Sequence, residues 1–252
     1  MPADPSLNGT VVCEAVDGIA TVTLDHPGKC NALTMSMWRD LDRVLRDLSD
    51  DPRILTIVIR GEGADFSAGA DIDDLPDDPD EFHRVHLATE QTIARLPKPV
   101  IAAVRGSCVG GGCEIAVAAD FRFADATARF GVTASRLGIV YPYAPTHRLI
   151  GLVGLGNTRR LLYAGELLDA TWAERVGLIT ELTTEDVDKR ALDFARLLTT
   201  RSQTTIAAAK QITAGTHSDL AWPDSDYTEG VNAFRARRKP VFPSAHQFLP
   251  GG

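Results

Sequence analysis

The chain lacks the features that would tie it to a membrane, a nucleic acid or a metal. No apolar run reaches membrane-spanning length. Positive charge is in deficit: 26 Lys and Arg stand against 34 Asp and Glu, a formal net charge of −8. Nucleic-acid binding needs a basic face, so that balance argues against it. There are only four cysteines, Cys13, Cys30, Cys108 and Cys113, and none forms a CxxC pair. They read as reduced, mostly buried thiols of a cytoplasmic protein, not as a disulfide framework or a zinc site. The stretch Met1 to Pro5 has no basic segment leading into an apolar one, so no secretory leader is expected. His83 and His86 sit three residues apart, but no third ligand lies near them in sequence. They are expected on a solvated helix face, with no metal.

What is present is an α/β pattern. At 252 residues the chain suits one large domain, or one domain with an appended helical piece. We expect a core over 1–195 and a helical region over 196–252. Residues 19–24, 54–59 and 100–104 read as strands, the last two as buried ones. Met37, Leu41, Val44, Leu45 and Leu48 recur at helical spacing and predict an amphipathic helix over 34–49. A helix over about 81–96 ends before Pro97 and Pro99. Asp73 to Asp80 holds five aspartates and two prolines and reads as an exposed loop. From 156 onward only helices are expected.

Two glycine-rich stretches each follow a strand. One is Phe66-Ser67-Ala68-Gly69-Ala70-Asp71-Ile72, the other Gly106-Ser107-Cys108-Val109-Gly110-Gly111-Gly112-Cys113-Glu114. A strand that ends in a glycine turn and opens a helix leaves backbone N–H groups unpaired. Two such turns facing each other would make a two-donor oxyanion hole. Either motif alone is as often a tight turn and nothing more. Together, with the Glu114 carboxylate three residues past Gly111, they point to a site.

These two turns, with Lys98-Pro99-Val100-Ile101-Ala102-Ala103-Val104-Arg105-Gly106 before the second, resemble the enoyl-CoA hydratase/isomerase (crotonase) superfamily. Asn31-Ala32-Leu33, the run from Ala173 to Ile179, and Glu229 to Phe234 with Arg238-Lys239-Pro240 extend the resemblance over nearly the whole chain, in family order. The resemblance implies a spiral core of repeated ββα turns, with C-terminal helices used for trimer contacts. Leu192, Phe194, Leu197 and Leu198 supply an apolar stripe in that region. It also implies an acyl-CoA thioester as ligand, with coenzyme A as part of the substrate and no separate cofactor. A homotrimer or dimer of trimers is expected.

By carry-over of the family pattern, the oxyanion donors are the N–H groups of Ala68 and Gly111, and Glu114 is the acid/base. The resemblance further places Lys29, Cys30 and Ala32, then Ala70, Asp71 and Ile72, against the thioester and its coenzyme A. Gly110, Thr133 and Leu137 follow from the middle of the chain, and Phe234 and Lys239 from its C-terminal part. Hydratases of this family set a second glutamate beside the first. Here its position, four residues past Phe130, is Ala134, and no Asp or Glu occurs between Asp125 and Glu166. Alanine cannot relay a proton. The spacing of Leu137-Gly138 and Tyr141 is similar to that of methylmalonyl-CoA decarboxylases of the same superfamily, although they carry a histidine where this chain has Ala70. Tyr141 could thus donate to a substrate carboxylate or carbonyl, or be a core tyrosine. His147, on a helical pattern, reads as packing or surface. Three readings remain open: a hydratase/isomerase, a decarboxylase or single-glutamate isomerase, and an acyl-CoA-binding protein without chemistry.

Overall fold

The computed structural model describes residues 9–215 and 224–242. An antiparallel hairpin, β1 (Thr10–Val16) and β2 (Ile19–Asp25), opens the chain. Its turn is Asp17-Gly18, both with positive φ. Helix α1 (Met35–Asp50) follows, with Thr34 Oγ1 accepting from Met37 N–H as its N-cap. Then come β3 (Thr56–Gly61), α2 (Pro79–Arg95), β4 (Val100–Val104), β5 (Ser107–Val109) and α3 (Gly111–Ala118). The second half carries β6 (Phe121–Ala124), β7 (Arg129–Gly131), α4 (Ala134–Leu137) and α5 (Tyr143–Arg159). It continues with β8 (Leu168–Asp169), α6 (Ala170–Arg175), β9 (Glu181–Leu182), α7 (Val187–Thr199), α8 (Gln203–Thr213) and α9 (Asp224–Arg235).

The strands form two sheets. Six run in the order β1-β2-β3-β4-β6-β9, parallel except for the β1–β2 hairpin. Three run in the order β5-β7-β8. β3 and β4 are buried almost throughout, as strands covered on both faces must be. One face of the large sheet carries the main core, around Trp38, Leu41, Ile57, Phe66 and Phe130. The other face is closed by α7, whose Ala191 and Ala195 pack on Val58, Ile101 and Phe123.

One expectation is corrected. The region past 156 is not all helix, because β8 and β9 each add a two-residue strand to a sheet edge. Of the expected apolar stripe, Leu192, Phe194 and Leu198 are half-buried against the α7 side of the large sheet, and Leu197 is exposed. Further exposed apolar side chains include Leu137, Ile139, Val140, Tyr143, Tyr163 and Leu167. Cys13 and Cys30 are exposed, while Cys108 and Cys113 are buried. No helix among the described residues is long and apolar enough to cross a membrane.

Candidate active site

The two glycine turns lie side by side. Ser67 N–H donates to Ser107 C=O (2.8 Å) and Val109 N–H donates to Ser67 C=O (3.0 Å), a parallel bridge between the turns. Glycine is required where they touch. Gly69 has φ +95°, and a Cβ on it would lie 2.7 Å from Val109 O. Gly110, at φ +53°, redirects the chain into α3. A Cβ on Gly112 would fall 2.5 Å from Ser67 O.

This geometry changes which amide is available. The Ala68 N–H donates to Cys30 C=O at 2.9 Å, so it is already used. The Ala68 expectation is therefore corrected by two residues along the chain. Leu33 pairs with the neighbouring backbone on both sides of Ala70: its N–H donates to Gly69 C=O (2.7 Å) and its C=O accepts from Asp71 N–H (2.9 Å). That leaves the Ala70 N–H pointing the other way, with no acceptor among the described residues. Gly111 N–H, the first amide of α3, has no intrahelical acceptor either. The positions adjoin: a Cβ on Gly69 would lie 3.0 Å from Gly111 N, and one on Gly111 would lie 3.7 Å from Ala70 N. Two orphan donors thus stand next to each other at the positive end of α3.

Glu114 occupies the first turn of α3 and is 2% exposed. Its Oε2 is in direct hydrogen-bond contact with His86 Nε2, from α2. His86 is buried, not solvated as expected, while His83 is exposed. The imidazole stacks on Phe82 (centroids 5.2 Å apart, 6° between planes) and meets Trp38 edge-on at 5.1 Å. One turn later on α2, Glu90 is fully buried and pairs with Arg148 of α5. Burial first, and then the nearby Glu114 charge, push the Glu90 carboxyl up to about 6 against the pull of Arg148. Tyr141 Oη is buried near these groups. Burial, followed by the charge of Glu114, raises its phenol well above the ordinary range.

Sequence reasoning missed His86 and Glu90. The signal was the stripe His86, Thr89, Glu90 and Ile93, which is buried along α2 although three of its four members are polar. Ala134 opens α4 and is half-buried against the core, so no carboxylate stands at that position. Thr133 is half-buried just before it, and Leu137 is exposed at its end. His147 is exposed and packs its ring on Tyr143.

Of the residues assigned to coenzyme A, the structure joins Lys29, Asp71 and Asp73 in one ion-pair group, with Lys29 Nζ 3.2 Å from Asp71 Oδ1. Cys30 is exposed beside them, Ala32 is buried, and Ile72 is exposed. Phe234 and Lys239 are exposed, on α9 and just beyond it. No hydrogen bond or ion pair among the described residues joins them to Lys29. A groove of about 1200 Å³ opens at the far end of α3 from the glycine turns, between α2, α5 and α8. Arg148 lines it on the way to Glu90.

Relatives of known class agree with this architecture. The family model described as enoyl-CoA hydratase/isomerase matches residues 14–223. A short-chain-enoyl-CoA hydratase of Clostridium acetobutylicum is 32% identical, with 91% of this chain and 95% of that protein aligned. A crotonyl-CoA hydratase of Syntrophomonas wolfei is 31% identical, over 92% of this chain and 97% of its own length. The crystal structure of an enoyl-CoA hydratase from Polaromonas sp. JS666 superposes with a TM-score of 0.84 at 26% identity, over 92% of this chain and 99% of that one. With its two bridged glycine turns and its spiral of parallel strands, this chain belongs to the enoyl-CoA hydratase/isomerase family.

Proposed function

We propose that the chain is an acyl-CoA enzyme in which the thioester carbonyl oxygen accepts from the Ala70 and Gly111 N–H groups, and in which Glu114 moves the proton. The observation that carries this reading is the pair of adjacent, acceptor-free amides one turn before a buried carboxylate. When the C2–H bond of an acyl thioester breaks, the electron pair moves onto the carbonyl oxygen as an enolate. Two donors already fixed in place stabilise that charge without reorganising, and one such donor is worth ~3 kcal/mol. Coenzyme A would lie along Lys29, Cys30 and Ala32, with Asp71 and Ile72 beside it and Phe234 and Lys239 approaching from the C-terminal side. The names of the relatives support 2-enoyl thioesters as substrates.

Alanine at 134 favours a second reading: a reaction that one carboxylate can run alone. In a 3-enoyl thioester, Glu114 would take the C2 proton and return the same proton to C4, so the double bond moves to C2–C3 with no other reactant. Tyr141, buried near Glu114, would donate to a carboxylate or carbonyl of the substrate in a decarboxylase-type reaction.

The test is a panel of 2-enoyl-, 3-enoyl- and malonyl-type CoA thioesters with products identified by mass spectrometry, beside deuterium uptake at C2 of butyryl-CoA in D2O. Exchange reports the enolate whichever net reaction follows. Glu114→Gln should lower exchange and turnover by roughly 10²–10⁴-fold with acyl-CoA affinity retained. Tight thioester binding by the wild type without exchange or turnover would leave a binding protein instead of an enzyme.

A further inference from the structure

We propose that His86 is the proton-holding partner of Glu114, occupying from helix α2 the chemical role left vacant by Ala134. This rests on the reading of Glu114 as the acid/base. Three observations carry it. His86 Nε2 touches Glu114 Oε2 directly, at a position 28 residues earlier in the chain. Both side chains are nearly inaccessible to water, at 7% and 3% exposure, so the contact is not screened. The His86 ring is locked between Phe82 and Trp38, and its Nδ1 is buried with no partner among the described residues.

A histidine that served only as packing would be expected to satisfy both ring nitrogens. Here one nitrogen is committed to the carboxylate and the other is left bare. Such an imidazole can pass or receive a proton through Nε2 while the aromatic walls prevent it from turning away. Burying Glu114 alone would leave an uncompensated carboxylate one turn from the orphan amides. With His86, the carboxylate has a hydrogen-bond partner whose Nε2 can pass a proton to or from Oε2.

The consequence for chemistry is specific. Hydration of a 2-enoyl thioester removes a proton from water as its oxygen bonds to C3. It delivers a proton to C2 as the enolate collapses. In the two-glutamate arrangement implied by the family resemblance, two carboxylates divide those tasks. Here the Glu114 carboxylate would meet the substrate, and His86 would keep the second proton position behind it. His86 is thus a positioning and proton-storing residue that acts through Glu114. Among the described ionisable groups, Glu90 on α2 and Tyr141 before α5 lie near the pair, and Arg148 on α5 holds Glu90. From α1, the uncharged Trp38 meets the imidazole edge-on.

Two substitutions separate storage from shape. His86→Phe keeps the aromatic stack and removes the nitrogen. His86→Gln keeps a donor at similar reach and cannot carry a proton. With the CoA thioester that the wild type turns over best, His86→Phe is expected to lose roughly 10²-fold in kcat, with KM little changed. His86→Gln is expected to recover part of that loss while its kcat–pH profile loses the limb that belongs to the pair. Deuterium exchange into butyryl-CoA should fall in parallel. Wild-type rates and an unchanged pH profile in both variants would overturn the proposal. If the wild type neither exchanges nor turns over any thioester, the proposed function fails, and the pair is judged by NMR alone. A downfield imidazole N–H signal in the wild type that disappears in Glu114→Gln supports a shared proton. Imidazole signals indifferent to that substitution overturn it. The same spectra decide the matter if His86→Phe does not fold.

Discussion

Glu90 is the residue whose environment makes the sharpest demand. It is fully buried, and its carboxyl is pushed to about 6 from an ordinary 4.5. The charged form is therefore disfavoured by folding. Between about pH 4.5 and 6 the folded chain binds more protons than the unfolded one, so stability falls as pH rises through that window. The shift corresponds to about 2 kcal/mol once Glu90 is ionised. Glu90→Gln should flatten this slope, measured as urea midpoints at pH 5 and pH 7.5. Arg148 retains partial exposure to the groove and can be hydrated without its partner. A variant with the same pH slope as the wild type would show that another group carries the dependence. Residue identity alone concealed all this. Glu90 and His86 are polar, and polar residues on a helix ordinarily face water. Only the packing of α2 on α1 and α3 reveals that this stripe faces inward.

At the scale of elements, the joint between the two glycine turns holds the site. Gly112 lies in the first turn of α3 with Ser67 O immediately beside it. Gly112→Ala would force a methyl group against that oxygen and push the turns apart. A loss of about 1–3 kcal/mol in folding stability is expected, as for other overpacked contacts. Thioester affinity should fall as well, because the Ala70 and Gly111 amides would no longer adjoin. A variant with lowered Tm and unchanged affinity would separate the joint from the binding site. β2, β3 and β4, the amphipathic α1 and the two turns were legible because β-branched runs, helical apolar spacing and glycines are local signals. β5 to β9 were not, since two to four residues carry no periodicity, and neither was β1, which is largely exposed. The donor amide was legible only to within two residues. Which amide the turn leaves free depends on where Cys30 to Leu33 lie, and that contact spans about 40 residues of chain. Glu114 needed no such contact, because its offset from Gly111 is one helical turn.

The whole molecule presents a surface that asks for a partner. Val140 is 85% exposed and Tyr143 77% exposed, with Leu137, Ile139, Tyr163 and Leu167 also uncovered. The segments adjoin, since Ser135 Oγ donates to Tyr163 C=O at 3.2 Å. An exposed apolar area of this kind marks an interface more often than free surface. We therefore expect self-association, with the trimer implied by the family resemblance as its form. Sedimentation at micromolar concentration should show a species well above 27.1 kDa, the mass of one chain. Val140→Glu should shift it toward the monomer. A wild-type chain that sediments as a monomer would leave this patch for another occupant.

The placement of the thiols turns the chain into its own reporter. Cys13 lies on β1, an edge strand, and Cys30 lies beside the Lys29–Asp71 ion pair, while the other two sulfurs are sealed in the core. Hydrogen bonding to Asp65 raises the Cys30 thiol, and burial raises that of Cys13, so both alkylate slowly at neutral pH and faster in mild alkali. An electrophile therefore reads two addresses in one experiment. If coenzyme A lies along Lys29, Cys30 and Ala32, it shields Cys30 and leaves Cys13 as the internal reference. The ratio of the two labels is then a footprint of occupancy, obtained from the unaltered protein.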